Sequence, residues 1–273
     1  MSDVFRLACC QLKVEKEKEK EKNLSKARLM IAEAVENGAQ MVVLPEMFNC
    51  PYRAELFPEY AESYPGGPSL EMLSLTAKEN SVYIVGGSIP ERENGCLYNT
   101  SFVFDPDGRL LGRHRKAHLF DVDLPGGSKI RESSTLDSGN QSTVIRTELC
   151  SIGVAICYDI RFPELIRQMV LKGAQVVIIP ATFTFTTGQV HWKITFQVRA
   201  IDNQVFTVGA AAARDYSERF IGYAHSLICG PWGEVLAEAG EEEEIIYSEI
   251  NLQRLEKVRQ ELPLLRRLRK DLY

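Results

Sequence analysis

Paired cysteines, long apolar runs and an excess of positive charge are all missing from this chain of 273 residues. The seven cysteines are odd in number and scattered, without the C-x-x-C spacing of zinc sites, so we expect neither a disulfide framework nor a metal site. No apolar stretch approaches the roughly 20 residues that span a bilayer. With 32 basic and 37 acidic residues, the net charge of −5 offers no electrostatic footprint for nucleic acid. We therefore expect no membrane or nucleic-acid partner.

Several catalytic and nucleotide-binding motifs are absent as well. The chain has no G-x-S-x-G elbow, no Walker-type phosphate loop and no G-x-G-x-x-G after a strand. Serine hydrolases, nucleotide hydrolases and dinucleotide-binding enzymes are therefore disfavoured. The first residues enter a strand pattern without the basic region, apolar core and cleavage site of a signal peptide. We expect a cytoplasmic protein that handles small molecules.

Alternating apolar runs and helical patterns predict an α/β fold. With 45% hydrophobic residues the chain can bury a large core, and we expect a single domain over residues 1–273. Strands are predicted near residues 5–10, 41–45, 82–87, 98–104, 109–113, 142–147, 151–156, 175–180, 205–211, 223–229 and 245–250. Helices are predicted near residues 23–36, 68–80, 162–172, 190–203 and 251–260. So many strands exceed what one open sheet usually holds, which favours two sheets with helices outside.

Two short segments have the composition of tight turns between hairpin strands. They are Asp105-Pro106-Asp107-Gly108 and Gly230-Pro231-Trp232-Gly233. Proline presets one turn dihedral, and glycine tolerates the positive φ that such turns need. Two hairpins should therefore accompany the α/β units.

Three potentially reactive side chains come after apolar strand patterns. Glu46 follows the run 41–45, Lys116 follows the strand pattern 109–113, and Cys157 follows the run 151–156. Taken singly, they could be a loop carboxylate, a solvated cation and a core thiol. Because open α/β sheets form their sites at strand ends, we expect the three to converge as base, cation and nucleophile. Cys157, facing backbone N–H groups of the next turn, is expected to be partly exposed and favoured as a thiolate.

The chain resembles the nitrilase superfamily of carbon–nitrogen hydrolases in three motifs. These are residues 44–46 (LPE), 114–120 (HRKAHLF) and 157–164 (CYDIRFPE). Further segments look most like the omega-amidase branch of that superfamily, namely residues 48–52 (FNCPY), 119–123 (LFDVD), 186–192 (TTGQVHW) and 202–205 (DNQV). The resemblance covers essentially the whole chain.

This resemblance implies a four-layer αββα sandwich, with two mixed sheets flanked by helices, that forms a homodimer. It also implies a catalytic triad of Glu46, Lys116 and Cys157, with Glu132 nearby, and chemistry that requires no cofactor. Cys157 would attack an amide carbonyl, and Glu46 would carry the thiol proton to the departing nitrogen. Lys116 and the backbone N–H of Tyr158 would hold the oxyanion. Glu132 would orient Lys116 or the substrate, or would be a plain hydrogen-bonded loop carboxylate.

Omega-amidases hydrolyse the terminal amide of monoamidated dicarboxylates such as 2-oxoglutaramate, so the resemblance implies a pocket for a distal carboxylate. A guanidinium is well shaped for that group. By resemblance Arg161 is the candidate, assisted by the hydroxyls of Tyr52 and Thr187. Alternatively, Arg161 could pair with Asp159 or Glu164 and fix the turn.

The chain departs from the related enzymes near the expected pocket wall. Thr184 stands where the relatives tend to carry Asn, and residues 210–214 (AAAAR) replace a Ser-Pro-Ala-Arg type of run. These changes bear on the acyl group of the substrate and leave the triad intact. His191 begins a predicted helix, and a lone histidine there is more often a hydrogen-bonded structural group than a base.

Three functions follow from these observations. The first is a cysteine amidohydrolase that acts on short dicarboxylate monoamides. The second is another branch of the superfamily, hydrolysing N-carbamoyl compounds, deaminated glutathione or nitriles, and the third is a scaffold without turnover. An intact triad argues against the scaffold, because a buried charge pair beside a thiol has no other physical need. The C-terminal tail, residues 261–273, mixes apolar and basic residues and is expected at a subunit interface or as a surface strap.

Overall fold

The computed structural model describes residues 3–16, 18–123, 129–218, 220–269 and 271–272. Its strands are β1 Val4–Gln11, β2 Met41–Val43, β3 Tyr83–Val85, β4 Ile89–Glu93, β5 Cys96–Phe104, β6 Leu110–Arg115, β7 Asp121–Asp123, β8 Lys129–Arg131, β9 Thr143–Arg146, β10 Ser151–Val154, β11 Val176–Pro180, β12 Phe206–Ala210, β13 Leu227–Cys229, β14 Val235–Glu238 and β15 Glu244–Asn251. Its α-helices are α1 Lys20–Glu36, α2 Phe57–Tyr60, α3 Pro68–Asn80, α4 Pro163–Leu171, α5 Phe185–Asn203 and α6 Leu252–Glu261. Short 3₁₀ helices cover Ala54–Leu56, Glu132–Ser134, Cys157–Arg161 and Leu265–Arg267.

Two mixed sheets form the centre of the molecule. The first sheet has the order β15-β1-β2-β3-β5-β4, with β6 also paired to β5, and its strands β1, β2 and β3 are parallel. The second sheet has the order β14-β13-β12-β11-β10-β9, in which β10, β11 and β12 are parallel. Strands β7 and β8 form a separate antiparallel pair. The remaining pairs are antiparallel, so both sheets are mixed, as the sequence predicts.

Alternation along the strands produces a four-layer sandwich. In β1, Phe5, Leu7 and Cys9 lie in a core between the two sheets, whereas Ala8 and Cys10 lie in a core under the helices. A strand side chain changes face at every residue, so one strand can serve two cores only if both of its faces are covered. Helices α1 and α3 cover the outer face of the first sheet, and α4 and α5 cover that of the second. The αββα architecture expected from the sequence is confirmed.

Both expected hairpin turns are present. Residues 105–108 join β5 to β6, and residues 230–233 join β13 to β14. Gly108 has φ 77° and Gly233 has φ 86°, which only glycine adopts without steric cost. These positions therefore explain the choice of glycine at the end of each turn.

The predicted elements match the structure best where an apolar run or an apolar helical pattern is present in the sequence. Several elements without such a pattern were missed. Strands β4, β7, β8 and β14 lie outside the predicted strand ranges, although the turn at residues 230–233 implied a strand after it, and the one-turn helix α2 was not predicted either. Helix α5 begins at Phe185, five residues before its predicted start at Val190. In the described part of the chain, every helix is too short or too polar to cross a bilayer.

Candidate active site

The four predicted catalytic residues come from four different segments. Glu46 follows β2, Lys116 directly follows β6, and Cys157 and Glu132 each begin a 3₁₀ helix. Strand β6 is antiparallel to β5, which is antiparallel to β3, so β6 runs parallel to β2 and ends at the same edge. Strand ends of both sheets thus meet at one site, where loops are held by a rigid scaffold.

Lys116 is the centre of this site. Its Nζ lies 3.0 Å from Oε1 of Glu46 and 2.8 Å from Oε1 of Glu132, and the whole side chain is buried. Although burial lowers the pKa of this lysine, the two carboxylates and Cys157 more than compensate and raise that pKa well above its usual value. Lys116 is therefore an ammonium, and the solvated-cation alternative is wrong.

Glu46 is held from one side only. Its Oε1 accepts from Nδ2 of Asn99 at 2.9 Å and from Lys116, whereas Oε2 is buried and has no hydrogen bond of normal length. The Cys157 thiol lies near enough to lower the pKa of this carboxyl, but burial dominates and leaves the pKa raised. A carboxylate oxygen with free acceptor capacity thus lies near the thiol of Cys157, the predicted nucleophile.

Glu132 connects Lys116 to the pocket wall. Its Oε1 accepts from the Tyr52 hydroxyl at 2.6 Å and from Lys116, and its Oε2 accepts from the backbone N–H of Phe120 at 2.6 Å. Both oxygens are therefore engaged. Of the three expectations for this residue, the structure displays the contact with Lys116, and its role in orienting that lysine stays a prediction.

Cys157 is buried, with 3% of its surface exposed, and its backbone φ of 47° lies in the left-handed region. For a residue other than glycine such a conformation costs about 1–3 kcal/mol and is found mainly at functional sites. The thiol Sγ lies 3.7 Å from the carbonyl oxygen of Thr182. The expectation of a partly exposed cysteine is wrong, because β11 and the turns around the site cover the strand end.

The thiol is also neutral at rest rather than a thiolate. Burial raises the pKa of Cys157 well above its usual value, and the Glu46 carboxylate raises it further, although Lys116 lowers it. Two carboxylates surround one ammonium, so the site already carries an excess negative charge. A further negative charge on the thiol is therefore disfavoured. A base must therefore remove the thiol proton before attack.

Asp159 joins the cysteine turn to the lysine segment. Its buried carboxylate accepts from His118 Nδ1 at 2.8 Å, from the His118 backbone N–H at 2.9 Å and from the Ile156 backbone N–H at 3.0 Å, and it contacts His114 Nε2 at 3.1 Å. Burial alone would raise the pKa of Asp159, but these hydrogen bonds hold it well below its usual value. Asp159 therefore holds the turn that contains Cys157 and the segment that contains Lys116 at a fixed separation.

Arg161 lies in the same 3₁₀ helix as Cys157, the predicted nucleophile, and pairs with no carboxylate of the described residues. Its guanidinium carbon is 4.7 Å from the ring centre of Phe183, and its Nη1 is 3.1 Å from Nδ1 of His191. Among the described residues it forms no salt bridge, so the alternative pairing with Asp159 or Glu164 is not present. Burial lowers the pKa of Arg161, and an arginine remains charged in proteins, so an anionic ligand beside it would compensate its charge.

A cavity of about 60 Å³ reaches the base from the surface, and its lining includes Glu46, Tyr52, Thr182 and Phe220. The Tyr52 ring packs on Phe220 with centroids 4.7 Å apart. Ala212 and Ala213, in the run that departs from the relatives, also line the cavity. Small side chains there leave space for substrate.

The other two predicted substrate contacts lie on either side of Arg161 in sequence. The ring of Tyr158 packs edge-on against Phe120 at 5.0 Å. The hydroxyl of Thr187 lies 2.8 Å from that of Thr184, whose oxygen caps helix α5 by accepting from the Thr187 backbone N–H at 3.2 Å. Thr184 thus caps helix α5, and Asn is also among the residues preferred at that position. Substrate contact by Tyr158 and Thr187 stays a prediction.

Three features of the site were not found from the sequence. They are the Asn99 contact to Glu46, the buried Asp159 cluster with its two histidines, and the cavity wall at Phe220. His114 and His118 flank Lys116 at even spacing, which is the one signal that could have pointed to the cluster. Within the described ranges, no group of three or more His, Cys, Asp or Glu residues is arranged to hold a metal.

Comparisons with known proteins agree with this geometry. Residues 6–260 match the family model described as carbon-nitrogen hydrolase. The chain is 48% identical to the protein named omega-amidase NIT2 of Homo sapiens, and equally to that of Danio rerio, over 269 residues that cover 98% of this chain and 96% of each relative. The crystal structure of Saccharomyces cerevisiae Nit3, described as a member of branch 10 of the nitrilase superfamily, superimposes with a TM-score of 0.89 at 38% identity and covers 98% of both chains.

Proposed function

Because the chain belongs to the carbon–nitrogen hydrolase family, we propose that it is an omega-amidase, a hydrolase that removes the terminal amide of short dicarboxylate monoamides as ammonia. The observation that carries this proposal is a buried carboxylate, ammonium and thiol beside an arginine that pairs with no carboxylate in the described part of the chain. The first three groups suit amide hydrolysis, and the arginine suits the distal carboxylate of the substrate. Substrates of this class are 2-oxoglutaramate, 2-oxosuccinamate and succinamate.

Acylation begins with the neutral thiol of Cys157. Oε2 of Glu46 accepts the thiol proton as Sγ forms a bond to the amide carbonyl carbon, and the carbonyl oxygen becomes an oxyanion. Glu46 then donates the same proton to the amide nitrogen, the C–N bond breaks, and ammonia leaves. The acyl group remains on Cys157 as a thioester.

Lys116 stabilises the oxyanion. An ammonium has three N–H donors, and two of them are used by Glu46 and Glu132, which leaves the third for the substrate oxygen. The backbone N–H of Tyr158 is the second donor that we propose. Loss of one such donor typically costs about 10²–10³ in rate.

In hydrolysis of the thioester, Glu46 again accepts a proton and then donates it. Water takes the place of the thiol as proton donor, and sulfur takes the place of the amide nitrogen as leaving group. Glu46 accepts a proton from water as the water oxygen attacks the acyl carbon, and the C–S bond then breaks. The proton returns to the sulfur, which regenerates the neutral thiol and releases the dicarboxylate. Glu132 keeps Lys116 in place through both steps, and Tyr52 keeps Glu132 in place.

Ammonia release from paired substrates tests this function. Succinamate carries a distal carboxylate, and butyramide is an uncharged amide of the same chain length. We expect wild-type protein to prefer succinamate in kcat/KM by at least about 10²-fold, since a carboxylate–guanidinium pair is lost with butyramide. Arg161→Lys should raise KM for succinamate far more than for butyramide. Equal kcat/KM values for the two amides would exclude carboxylate recognition, and release of ammonia from a nitrile alone would identify a different branch.

We also propose that the chain forms a homodimer through the outer face of α5. Val190, Ile194, Val198 and Ile201 lie at intervals of four, four and three residues, which places them on one face of the helix. They are 68%, 58%, 37% and 44% exposed. A stripe of this kind is costly to leave in water and is typical of interfaces.

The C-terminal tail begins beside the same helix end. Nε2 of Gln204 donates to the carbonyl oxygen of Leu262 at 2.5 Å, and Leu265 packs on the core of the second sheet. Leu262 and Leu264 remain exposed, so they can extend the apolar surface of α5. We therefore propose the tail, residues 261–273, as part of the dimer interface, with residues 270 and 273 outside the described residues.

Two further expectations belong to the whole chain. The two sheets share one core, so we propose one domain over residues 1–273. We expect thermal unfolding in a single calorimetric transition, and two separate transitions would contradict the single domain. All seven cysteines are free, which suits the reducing cytoplasm. Recovery of the native protein in an organelle or secreted fraction would contradict that compartment.

A further inference from the structure

Arg161 is oriented by a neutral acceptor rather than by a negative charge. Its Nη1 lies 3.1 Å from Nδ1 of His191. A guanidinium can only donate, so Nδ1 of His191 is the acceptor in this contact. We propose that His191 is a positioning residue for substrate selection, which aims the Arg161 guanidinium at the distal carboxylate of the substrate. This inference rests on the omega-amidase function proposed above.

Helix α5 holds the backbone of Arg161 as well as its side chain. Nε of Arg199 donates to the carbonyl oxygen of Ile160 at 2.8 Å, and its Nη2 donates to that of Arg161 at 3.4 Å. Next to His191, Trp192 is buried and donates from Nε1 to the carbonyl oxygen of His225 at 2.6 Å. The helix is thus anchored at Trp192 and Arg199, which both follow His191, so the imidazole projects from a fixed backbone position.

The choice of a neutral partner has a chemical consequence. A carboxylate at the position of His191 would pair with Arg161 and compete with the substrate for the guanidinium. An imidazole nitrogen and the Phe183 ring restrict the rotation of the guanidinium but leave its positive charge uncompensated. Of the five N–H donors of an arginine, the contact to His191 uses one. The other donors remain available for a bidentate contact with a carboxylate.

Two substitutions at His191 separate the acceptor from the bulk of the side chain. His191→Asn keeps an acceptor oxygen close to the position of Nδ1, whereas His191→Leu keeps volume and removes the acceptor. We expect His191→Leu to raise KM for succinamate by about tenfold and to leave kcat within about twofold of the wild-type value. The variant loses the orientation of the Arg161 donors that bind the carboxylate, and the groups that carry out the reaction are unchanged. His191→Asn should keep most of the wild-type KM. Butyramide, which has no carboxylate, should lose much less with either variant.

A double variant tests whether His191 acts through Arg161. If it does, Arg161→Lys combined with His191→Leu should have the same KM for succinamate as Arg161→Lys alone, within about twofold. Multiplied effects in the double variant, or equal losses of kcat on both amides, would overturn the positioning role. So would a His191→Leu variant with wild-type KM for succinamate.

The results that would contradict the omega-amidase function differ from those that would contradict the role of His191. If wild-type protein shows no preference for succinamate over butyramide, carboxylate recognition is absent and the role of His191 falls with it. If wild-type protein shows the preference and Arg161→Lys removes it, but both His191 variants keep it, only the role of His191 is wrong. Thermal melting of each variant verifies that it is folded before kinetic constants are compared.

Discussion

At the scale of single residues, burial first and the net charge of the site second decide the resting state of Cys157. Glu46 and Glu132 share one ammonium, Lys116, and all three are buried. The excess negative charge and the burial together keep Cys157 protonated. In the proposed mechanism, attack therefore depends on Glu46, whose Oε2 is buried without a hydrogen bond of normal length.

The protonated resting state of Cys157 predicts that Glu46→Gln makes the thiolate easier to form and yet slows turnover. Glu46→Gln removes a negative charge beside the thiol, so the pKa of Cys157 should fall, even though the enzyme becomes much less active. Turnover of succinamate should drop by about 10³-fold or more, because general base and general acid are lost together. Ultraviolet absorbance of the thiolate against pH, with Glu46→Gln/Cys157→Ala as the blank, measures the shift.

The control for this titration is Glu132→Gln. It removes a charge of the same sign, which also raises the pKa of Cys157 in the wild type, but it leaves the base in place. It should lower the thiol pKa while it retains more activity than Glu46→Gln. A thiol pKa in Glu46→Gln that is equal to or higher than the wild-type value would contradict the charge account.

At the scale of elements, the Asp159 cluster holds two loops at a fixed separation. The 3₁₀ helix Cys157–Arg161 is connected by Asp159 to the segment that follows β6, which contains Lys116 and His118. Asp159 lies 41 residues from His118 in sequence. Loss of this carboxylate should loosen both loops at once.

Asp159→Asn should therefore lower stability and activity together. A buried carboxylate that accepts this many hydrogen bonds is costly to lose, and we expect about 3 kcal/mol less free energy of unfolding at neutral pH. The folded-state pKa of Asp159 is depressed, so its contribution is present above the unfolded value of about 4 and is lost as pH falls below it. The stability gap between wild type and Asp159→Asn should thus narrow below about pH 4.

Denaturant unfolding at several pH values measures that gap. Asp123→Asn is the matched control, because the Asp123 side chain is 70% exposed and lies 3.8 Å from Arg131. An exposed pair contributes about 1 kcal/mol at most. A gap for Asp159→Asn as small as that of the control, or one that widens in acid, would show that the cluster does not hold the two loops at a fixed separation.

Sequence patterns located the buried strands and left out the polar ones. Hydrophobic runs predicted β1, β10 and β11 because both faces of these strands are covered. Strand β4 (IPERE), β7 (DVD) and β8 (KIR) have too few apolar residues to form such a run. Their pairing is decided by neighbouring strands, which a local pattern does not contain.

The same distinction applies to the site. Each triad residue comes after an apolar strand, so Glu46, Lys116 and Cys157 could be proposed together before the structure was known. Asn99 reaches Glu46 because β5 pairs with β6 in one particular register, with Thr100 opposite Arg115. That register is set by contacts distant in sequence. Burial of Cys157 is likewise a result of packing, which is why its exposure was predicted wrongly.

At the scale of the whole molecule, the apolar stripe of α5 is a surface whose side chains remain exposed among the described residues. Ile194→Lys places a charge in its centre, and we expect a shift from dimer to monomer at micromolar concentration. Leu29→Lys is the control, since Leu29 lies on α1 and is 71% exposed. Light scattering after size exclusion measures the mass. A dimer that survives Ile194→Lys unchanged, or a wild-type monomer, would contradict the proposed interface.

The whole account depends on a thioester formed at Cys157, and partitioning with hydroxylamine tests it most directly. Succinamate and monomethyl succinate lose different leaving groups but would form the same succinyl-enzyme. With both substrates, water and hydroxylamine should therefore give the same ratio of succinate to succinyl hydroxamate, and Cys157→Ala should give neither product from succinamate. Ratios that differ between the two substrates, or ammonia release by Cys157→Ala, would contradict a cysteine-bound intermediate.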